Sequence, residues 1–420
     1  MSPDETREPL RVAIVTESFL PQVNGVTNSV CRVVDLLADR GHEVLLLAPG
    51  PGPSSYAGFP VVRLPSLPLP LYRGFPMGLP ARRVMTAAIR AFSPDVLHLA
   101  SPALLGSAAV ETARRWALPT VAVFQTDLPG FAGRYRLPGR DALWSLLRRT
   151  HAAVDRTLVP SSATMETLSD RGFPRLDLWR RGVDTRRFSP DHRDAELRRG
   201  LAPGGEAIVG YVGRLARDKR VEMLAHVSRL RGIRLVVVGD GPERARLRRI
   251  LPDAVFTGQR TGGELSRLYA SMDVFVHTGA DETFCQALQE ALASGVPVVA
   301  PASGGPLDLV LPERNGLLYA PDSARELRVA VGRLVHNRRG ARPSVEHRTW
   351  DAVGEQLLGH YRAVIASSAE LAARGVGSGG GAAEGAGRVP ASPGRSGRGR
   401  PETGASAPPP YTGRTPERSS

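Results

Sequence analysis

Apolar and polar positions alternate in short, regular blocks along most of the chain. Arg11-Val-Ala-Ile-Val-Thr16 is an apolar run of strand length, followed by a polar stretch from Glu17 to Val26. Helical spacing then predicts a helix over about 27–40, stopped by Gly41, and Glu43–Ala48 is again a strand. A strand, a loop carrying Asn24-Gly25, a helix and a strand make the opening unit of a doubly wound parallel sheet. Further strands are predicted at 61–64, 95–99, 120–124 and 156–160, with helices near 79–92, 102–116, 141–153 and 162–171. The pattern begins afresh at Ala207-Ile-Val-Gly-Tyr-Val-Gly213, with a helix over about 220–231, strand 234–238 and a strand-plus-loop at 253–260. The expectation is an α/β protein of two Rossmann-like domains facing a cleft, spanning 11–188 and 207–348, with a Pro/Asp/Arg/Gly-rich linker at 189–206. Trp350, Leu357, Leu358, Tyr361 and Val364 line one face of a predicted helix over 349–366. Residues 1–10 read as a disordered leader. Residues 367–420, a basic Gly/Pro/Ser-rich stretch, read as a disordered tail that cannot bury enough surface to fold.

The chemistry gathers in Glu282-Thr283-Phe284-Cys285-Gln286-Ala287-Leu288-Gln289-Glu290, a loop entering a helix that Gly295 ends. Glu282 falls in the loop, and Glu290 lies about two turns down the helix, roughly 12 Å further on. Between them the free N–H groups around Thr283, Phe284 and Cys285 can seat an anion. Carboxylates accept hydrogen bonds from sugar hydroxyls, so sugar, phosphate and sugar in a row would match this layout. Arg214 and Lys219 occupy the first loop of the second half, where a planar fork and a point charge can both hold phosphate. Gly25 permits close backbone approach at the end of the first strand, and so do Gly304 and Gly305 in Ser303-Gly304-Gly305-Pro306.

The Glu-x7-Glu spacing followed by Ala-Leu-Ala-Ser-Gly-Val-Pro-Val-Val-Ala resembles the family 4 retaining glycosyltransferases, which have the GT-B fold. Among them it looks most like actinobacterial GDP-mannose-dependent α-mannosyltransferases, over roughly residues 10–365. The resemblance implies Arg214 and Lys219 on the donor pyrophosphate, Glu290 on the ribose and Glu282 on the sugar hydroxyls. It implies Gly25 facing the donor, and Gly258, Gln259 and Arg260 beside the nucleobase. It also implies a last helix that crosses back to the first domain. Gln125 stands where most of the family has a His, and a carboxamide cannot titrate. Asp127 is then the nearest acidic residue to the reacting centre. Gln125 and Asp127 join Glu282, Arg214 and Lys219 as candidate catalytic residues.

Composition narrows the rest. At 420 residues, with 42% hydrophobic content and no apolar run near ~18 residues, the chain suits two soluble domains without a transmembrane helix. Cys31 and Cys285 build no disulfide framework, and no zinc spacing occurs. A cytoplasmic place is expected, with peripheral contact at the inner face of the plasma membrane. The net charge of +14 favours anionic partners, and without any nucleic-acid-binding pattern a membrane surface and a phosphorylated substrate come first. All but one of the 55 cations are Arg, and Lys219 is the only lysine. Arg82, Arg83 and Arg90 follow an apolar, mobile-looking loop at 67–79, and residues 134–156 hold six Arg. Together they suggest interfacial contact with anionic lipid and hence a glycolipid or lipid-linked acceptor. No Asp-x-Asp pair occurs, so neither a metal nor a cofactor is expected beyond the nucleotide-sugar co-substrate. Gly239-Asp-Gly241 lacks the third glycine of a dinucleotide fingerprint. An epimerase on the same fold, or a transferase using a UDP-sugar and a soluble acceptor, are the alternatives.

Overall fold

A computed structural model describes residues 8–22, 24–69, 72–134, 138–336 and 344–377. The expected leader over its first seven residues and the expected tail beyond 377 lie outside the described residues. The described residues up to 373 belong to one compact unit.

The first half contributes strands β1 (Arg11–Thr16), β2 (Glu43–Pro49), β3 (Ser55–Tyr56), β4 (Phe59–Leu64), β5 (Ser66–Leu69) and β6 (Tyr72–Gly78). It continues with β7 (Val96–Ala100), β8 (Thr120–Val123), β9 (Arg156–Val159) and β10 (Leu176–Leu178). Its helices are α1 (Gly25–Asp39), α2 (Arg82–Phe92), α3 (Leu104–Arg115), α4 (Leu128–Arg134), α5 (Arg140–Ala152) and α6 (Ser162–Ser169). The second half contributes β11 (Ala207–Val212), β12 (Ile233–Val238), β13 (Val255–Gly258), β14 (Val274–Val276), β15 (Val298–Pro301) and β16 (Gly316–Tyr319). Around them run α7 (Ala195–Leu201), α8 (Leu224–Val227), α9 (Arg244–Ile250), α10 (Gly262–Ser271), α11 (Gln286–Ala293), α12 (Pro306–Leu309), α13 (Ala324–His336) and α14 (Trp350–Gly377).

Among the described residues the strands form an eight-stranded sheet ordered β10-β9-β8-β7-β1-β2-β4-β3 and a six-stranded sheet ordered β13-β12-β11-β14-β15-β16. Apart from the β3–β4 pair, both sheets are parallel. In each, the order reverses beside the first strand, between β1 and β7 and between β11 and β14. A crevice opens at such a switch point, at the strands' carboxyl ends. These are the two Rossmann-like lobes that the alternating pattern predicts.

Four differences from the sequence reading have physical causes. The stretch expected as a mobile loop is an antiparallel ribbon of β5 and β6, Ser66 pairing with Gly78 and Leu67 with Met77. The expected linker carries helix α7, capped by Asp194, and its Arg193 and Arg198 clamp buried Asp273 at 2.9 Å each. The helix expected over 220–231 breaks into short turns before α8, because Arg220 takes a left-handed conformation (φ 50°) while its guanidinium bonds Pro321 O and Asp322. The last helix does not stop at 366 but runs to Gly377. The Ala-rich stretch after Ile365 sustains helix where its small residues read as tail.

That last helix is built into the first lobe. Val353, Leu357, Leu358, Tyr361 and Val364 share a core with Val12, Ile14, Leu36 and Leu37. Tyr361 Oη lies 2.7 Å from His98 Nδ1, and the Trp179 indole donates to Val353 O at 2.9 Å. Burial pushes His98 down to about 3, so the imidazole is neutral at pH 7.

Candidate functional site

The loops that leave β11 and β14 meet at the second lobe's switch point. Lys219 follows β11 and Glu282 follows β14, and Lys219 Nζ lies 2.5 Å from Glu282 Oε1. Asp218 lies 3.7 Å from the same ammonium and accepts from Arg214 Nη2 at 2.8 Å. His277, at the end of β14, places Nε2 3.3 Å from Glu282 Oε1, too poorly aligned for a hydrogen bond. The result is a chain of alternating charge, Arg214, Asp218, Lys219, Glu282, His277.

The electrostatics follow from burial and proximity. Glu282 and Lys219 are only 18% and 24% exposed at the side chain. Burial alone would raise the Glu282 pKa, but Lys219 and His277 outweigh it and hold the carboxyl well below the usual range. Burial would lower Lys219, and Glu282 with Asp218 keeps its pKa above the ordinary value. For His277 burial is again opposed, here by Cys285 and Glu282, and its pKa is pushed up to about 10. An imidazolium and an ammonium therefore flank one carboxylate at neutral pH.

The backbone around Glu282 is held by glycines. Gly305 N donates to Glu282 O at 2.7 Å. A Cβ on Gly304 would sit 2.4 Å from Glu282 O, and one on Gly305 would sit 2.3 Å from Phe284 O. The close approach expected of this glycine pair is thus to the Glu282 loop itself. Cys285, at φ 76°, turns the chain into α11 in a conformation that costs a non-glycine residue about 1–3 kcal/mol. Phe284 is packed into the second lobe's core. Glu290, inside α11, accepts from Tyr269 Oη at 3.0 Å, and burial pushes its pKa up to about 7.

From the first lobe, Gln125 follows β8 and Gly25 opens α1. Thr283 Oγ1 donates across the lobes to Gln125 O at 3.0 Å. Arg181 donates to Gly25 O at 2.9 Å and to Gln125 Oε1 at 2.5 Å. Gln286 and Gln289, on α11, donate to Gly182 O and Arg181 O at 3.1 Å each. The structure therefore brings Glu282, Lys219, Arg214, Thr283, Cys285, Gln125 and Gly25 into one neighbourhood. Asp127 Oδ1 accepts from Gly130 N at 2.8 Å in the turn into α4. Gly258 ends β13 at the sheet edge, Gln259 and Arg260 follow it, and Arg260 bonds Thr257 O and Glu264.

Three residues were not singled out from the sequence. Glu17, after β1, accepts from Ala103 N at 2.7 Å and Gly106 N at 3.0 Å. Burial outweighs those bonds and raises its pKa to about 7. Arg181 and His277 are the others. Their positions just after strands were the available signal, but their partners lie 56 and 5 residues away in sequence.

Two facing Rossmann-like lobes with paired cations and carboxylates at the switch point make the GT-B arrangement. The model for "Glycosyltransferase Family 4" matches residues 23–187, and that for "Glycosyl transferases group 1" matches 206–337. A GDP-mannose-dependent alpha-mannosyltransferase of Mycobacterium tuberculosis (strain CDC 1551 / Oshkosh) is 52% identical over 84% of this chain and 97% of its own. The protein of the same description from Corynebacterium glutamicum is 46% identical over 87% and 92%. Among solved structures, sucrose-phosphate synthase from Thermosynechococcus elongatus superposes with a TM-score of 0.70 at 21% identity, covering 85% of this chain and all of that one. The chain belongs to glycosyltransferase family 4. It is a hexosyltransferase, and the epimerase alternative falls with that membership.

Proposed function

We propose that the enzyme transfers mannose from GDP-mannose to a glycolipid or lipid-linked acceptor, with retention at the anomeric carbon. The observation that carries this reading is the Lys219–Glu282 pair at the switch point, in a chain so similar to GDP-mannose-dependent relatives. Arg214 and Lys219 would hold the diphosphate, Glu282 the mannose hydroxyls and Glu290 the ribose. The acceptor's lipid character is supported by a related phosphatidylinositol dimannoside mannosyltransferase of M. tuberculosis, 28% identical over 86% of this chain.

In the reaction the bond from the mannose anomeric carbon to the phosphate oxygen breaks, and its electron pair leaves with the diphosphate. The acceptor hydroxyl oxygen bonds that carbon from the same face, and its proton passes to the leaving phosphate oxygen. Arg214 and Lys219, fixed before the reaction, stabilise the charge that develops there. Closure of the lobes excludes water, which would otherwise compete as acceptor.

The test is a panel of GDP-mannose, GDP-glucose, UDP-glucose and UDP-galactose, scored by thermal shift and by slow donor hydrolysis. GDP-mannose should give the largest shift and the fastest hydrolysis. A preference for a UDP-sugar would replace the mannose reading with the alternative donor.

A further inference from the structure

We propose that Arg181 is a positioning residue that fixes the Gln125 carboxamide as a hydrogen-bond donor to the sugar being transferred. The inference rests on the transferase reading and goes beyond it by assigning a role to Arg181.

Gln125 sits at the carboxyl end of β8, in the first lobe's half of the crevice. Both side chains are buried, Arg181 at 8% exposure and Gln125 at 7%. A carboxamide has one accepting end and one donating end, and their orientation is decided by the neighbours. Here the neighbour decides it without ambiguity, because a guanidinium has only N–H donors. Arg181 Nη2 lies 2.5 Å from the amide, so the atom facing it is the carbonyl oxygen Oε1. The NH2 group must therefore point the other way. Among the described residues Nε2 donates to nothing, yet it keeps solvent access, unlike the buried orphan oxygens of Gln286 and Gln289. Two unspent N–H donors thus open into the crevice beside the Glu282 loop.

The surroundings leave this pair little freedom. Arg181 Nη1 donates to Gly25 O at 2.9 Å, and Gln289 of the second lobe donates to Arg181 O at 3.1 Å. Thr283, the residue after Glu282, donates to Gln125 O at 3.0 Å. Main-chain oxygens of both partners are therefore gripped from the lobe that carries Glu282. Burial lowers the Arg181 pKa to about 10, which still leaves the guanidinium charged at neutral pH. Sugar hydroxyls offer acceptor oxygens, and Glu282 can only accept. A fixed donor opposite a fixed acceptor would orient the mannose ring between them, and a carboxamide does so without titrating.

The experiment uses full-length enzyme and the variants Gln125→Glu, Arg181→Lys, Arg181→Met and Gln125→Glu/Arg181→Met. Melting temperature is measured, together with kcat and KM for GDP-mannose and a glycolipid acceptor. A carboxylate in place of the carboxamide can only accept, and it pairs with Arg181, so Gln125→Glu should melt at or above wild type. Its kcat should nevertheless fall at least about tenfold, with donor KM changing by less than about threefold. The double variant should melt far below Arg181→Met, since the new carboxylate is then buried without a partner. Arg181→Lys should recover part of the kcat that Arg181→Met loses. Wild-type kcat in Gln125→Glu would overturn the inference and leave the transferase reading intact. Equal destabilisation by Gln125→Glu with and without Arg181 would overturn the geometry. Wild type inactive on every nucleotide sugar would sink the transferase reading, and the sugar as the partner of Gln125 with it.

Discussion

Lys219 Nζ and Glu282 Oε1 lie 2.5 Å apart, tying the loop after β11 to the loop after β14 across the second sheet's switch point. Each loop supplies one member of the pair, and neither is exposed enough to be exchanged freely for another. The pair places an ammonium where a diphosphate can meet it and a carboxylate where a sugar can.

Lys219→Arg should therefore lower kcat at least about tenfold although it keeps the charge, because a planar fork cannot replace a point charge in a tight seat. Arg217→Lys is the control, since Arg217 is exposed and among the described residues pairs only with Glu243, at 3.4 Å. Steady-state kinetics of both variants decide the matter. Equal activity would remove the special role of the only lysine.

His277 makes stability depend on pH in a stated window. Its folded pKa, about 10, lies above its ordinary 6.5, so the folded protein binds this proton more tightly than the unfolded chain. The contribution is complete below about 6.5 and is lost as pH rises towards 10. The melting temperature of wild type should fall across that window, and His277→Gln should flatten the decline. Thermal melts at matched ionic strength measure it.

Much of this site was legible in the sequence. Glu282, Lys219 and Arg214 each follow a strand inside a recognisable period, and a switch-point crevice collects such residues. Arg181 was not legible, because in a chain with so many Arg its type carries no signal and its partners Gln125 and Gly25 are 56 and 156 residues away. The ribbon at 66–78 was hidden by prolines, which rarely sit in paired strands. Helix α14 was cut short because the Ala/Ser stretch that leads into the Gly-rich segment looks like tail until a packed face has nucleated the helix.

Glu290 should make donor affinity pH-dependent. Its carboxyl, raised to about 7 by burial, is half protonated near neutrality. If the carboxylate accepts from ribose hydroxyls, GDP-mannose affinity should rise between pH 6 and 8. Glu290→Gln should weaken binding by about 1–3 kcal/mol and abolish that rise. Calorimetric titration at several pH values reads both effects.

Contact with an anionic bilayer predicts salt-sensitive vesicle binding. Arg83 and Arg90 lie exposed on α2, as does Val84, whereas Arg82 is held by Glu111 at 2.5 Å. If α2 meets an anionic surface, each exposed Arg would add about 1 kcal/mol of attraction. Arg83→Ser/Arg90→Ser should weaken co-sedimentation with anionic vesicles at low salt, and neither protein should bind neutral ones.

The most direct measurement is the anomeric configuration of the product, read by proton NMR after incubation of wild type with GDP-mannose and vesicles containing a glycolipid acceptor. The account predicts an α-mannosyl product with its anomeric configuration retained from the donor, and free GDP formed in equal amount. A β-linked product, or a UDP-sugar consumed while GDP-mannose is left untouched, would contradict it.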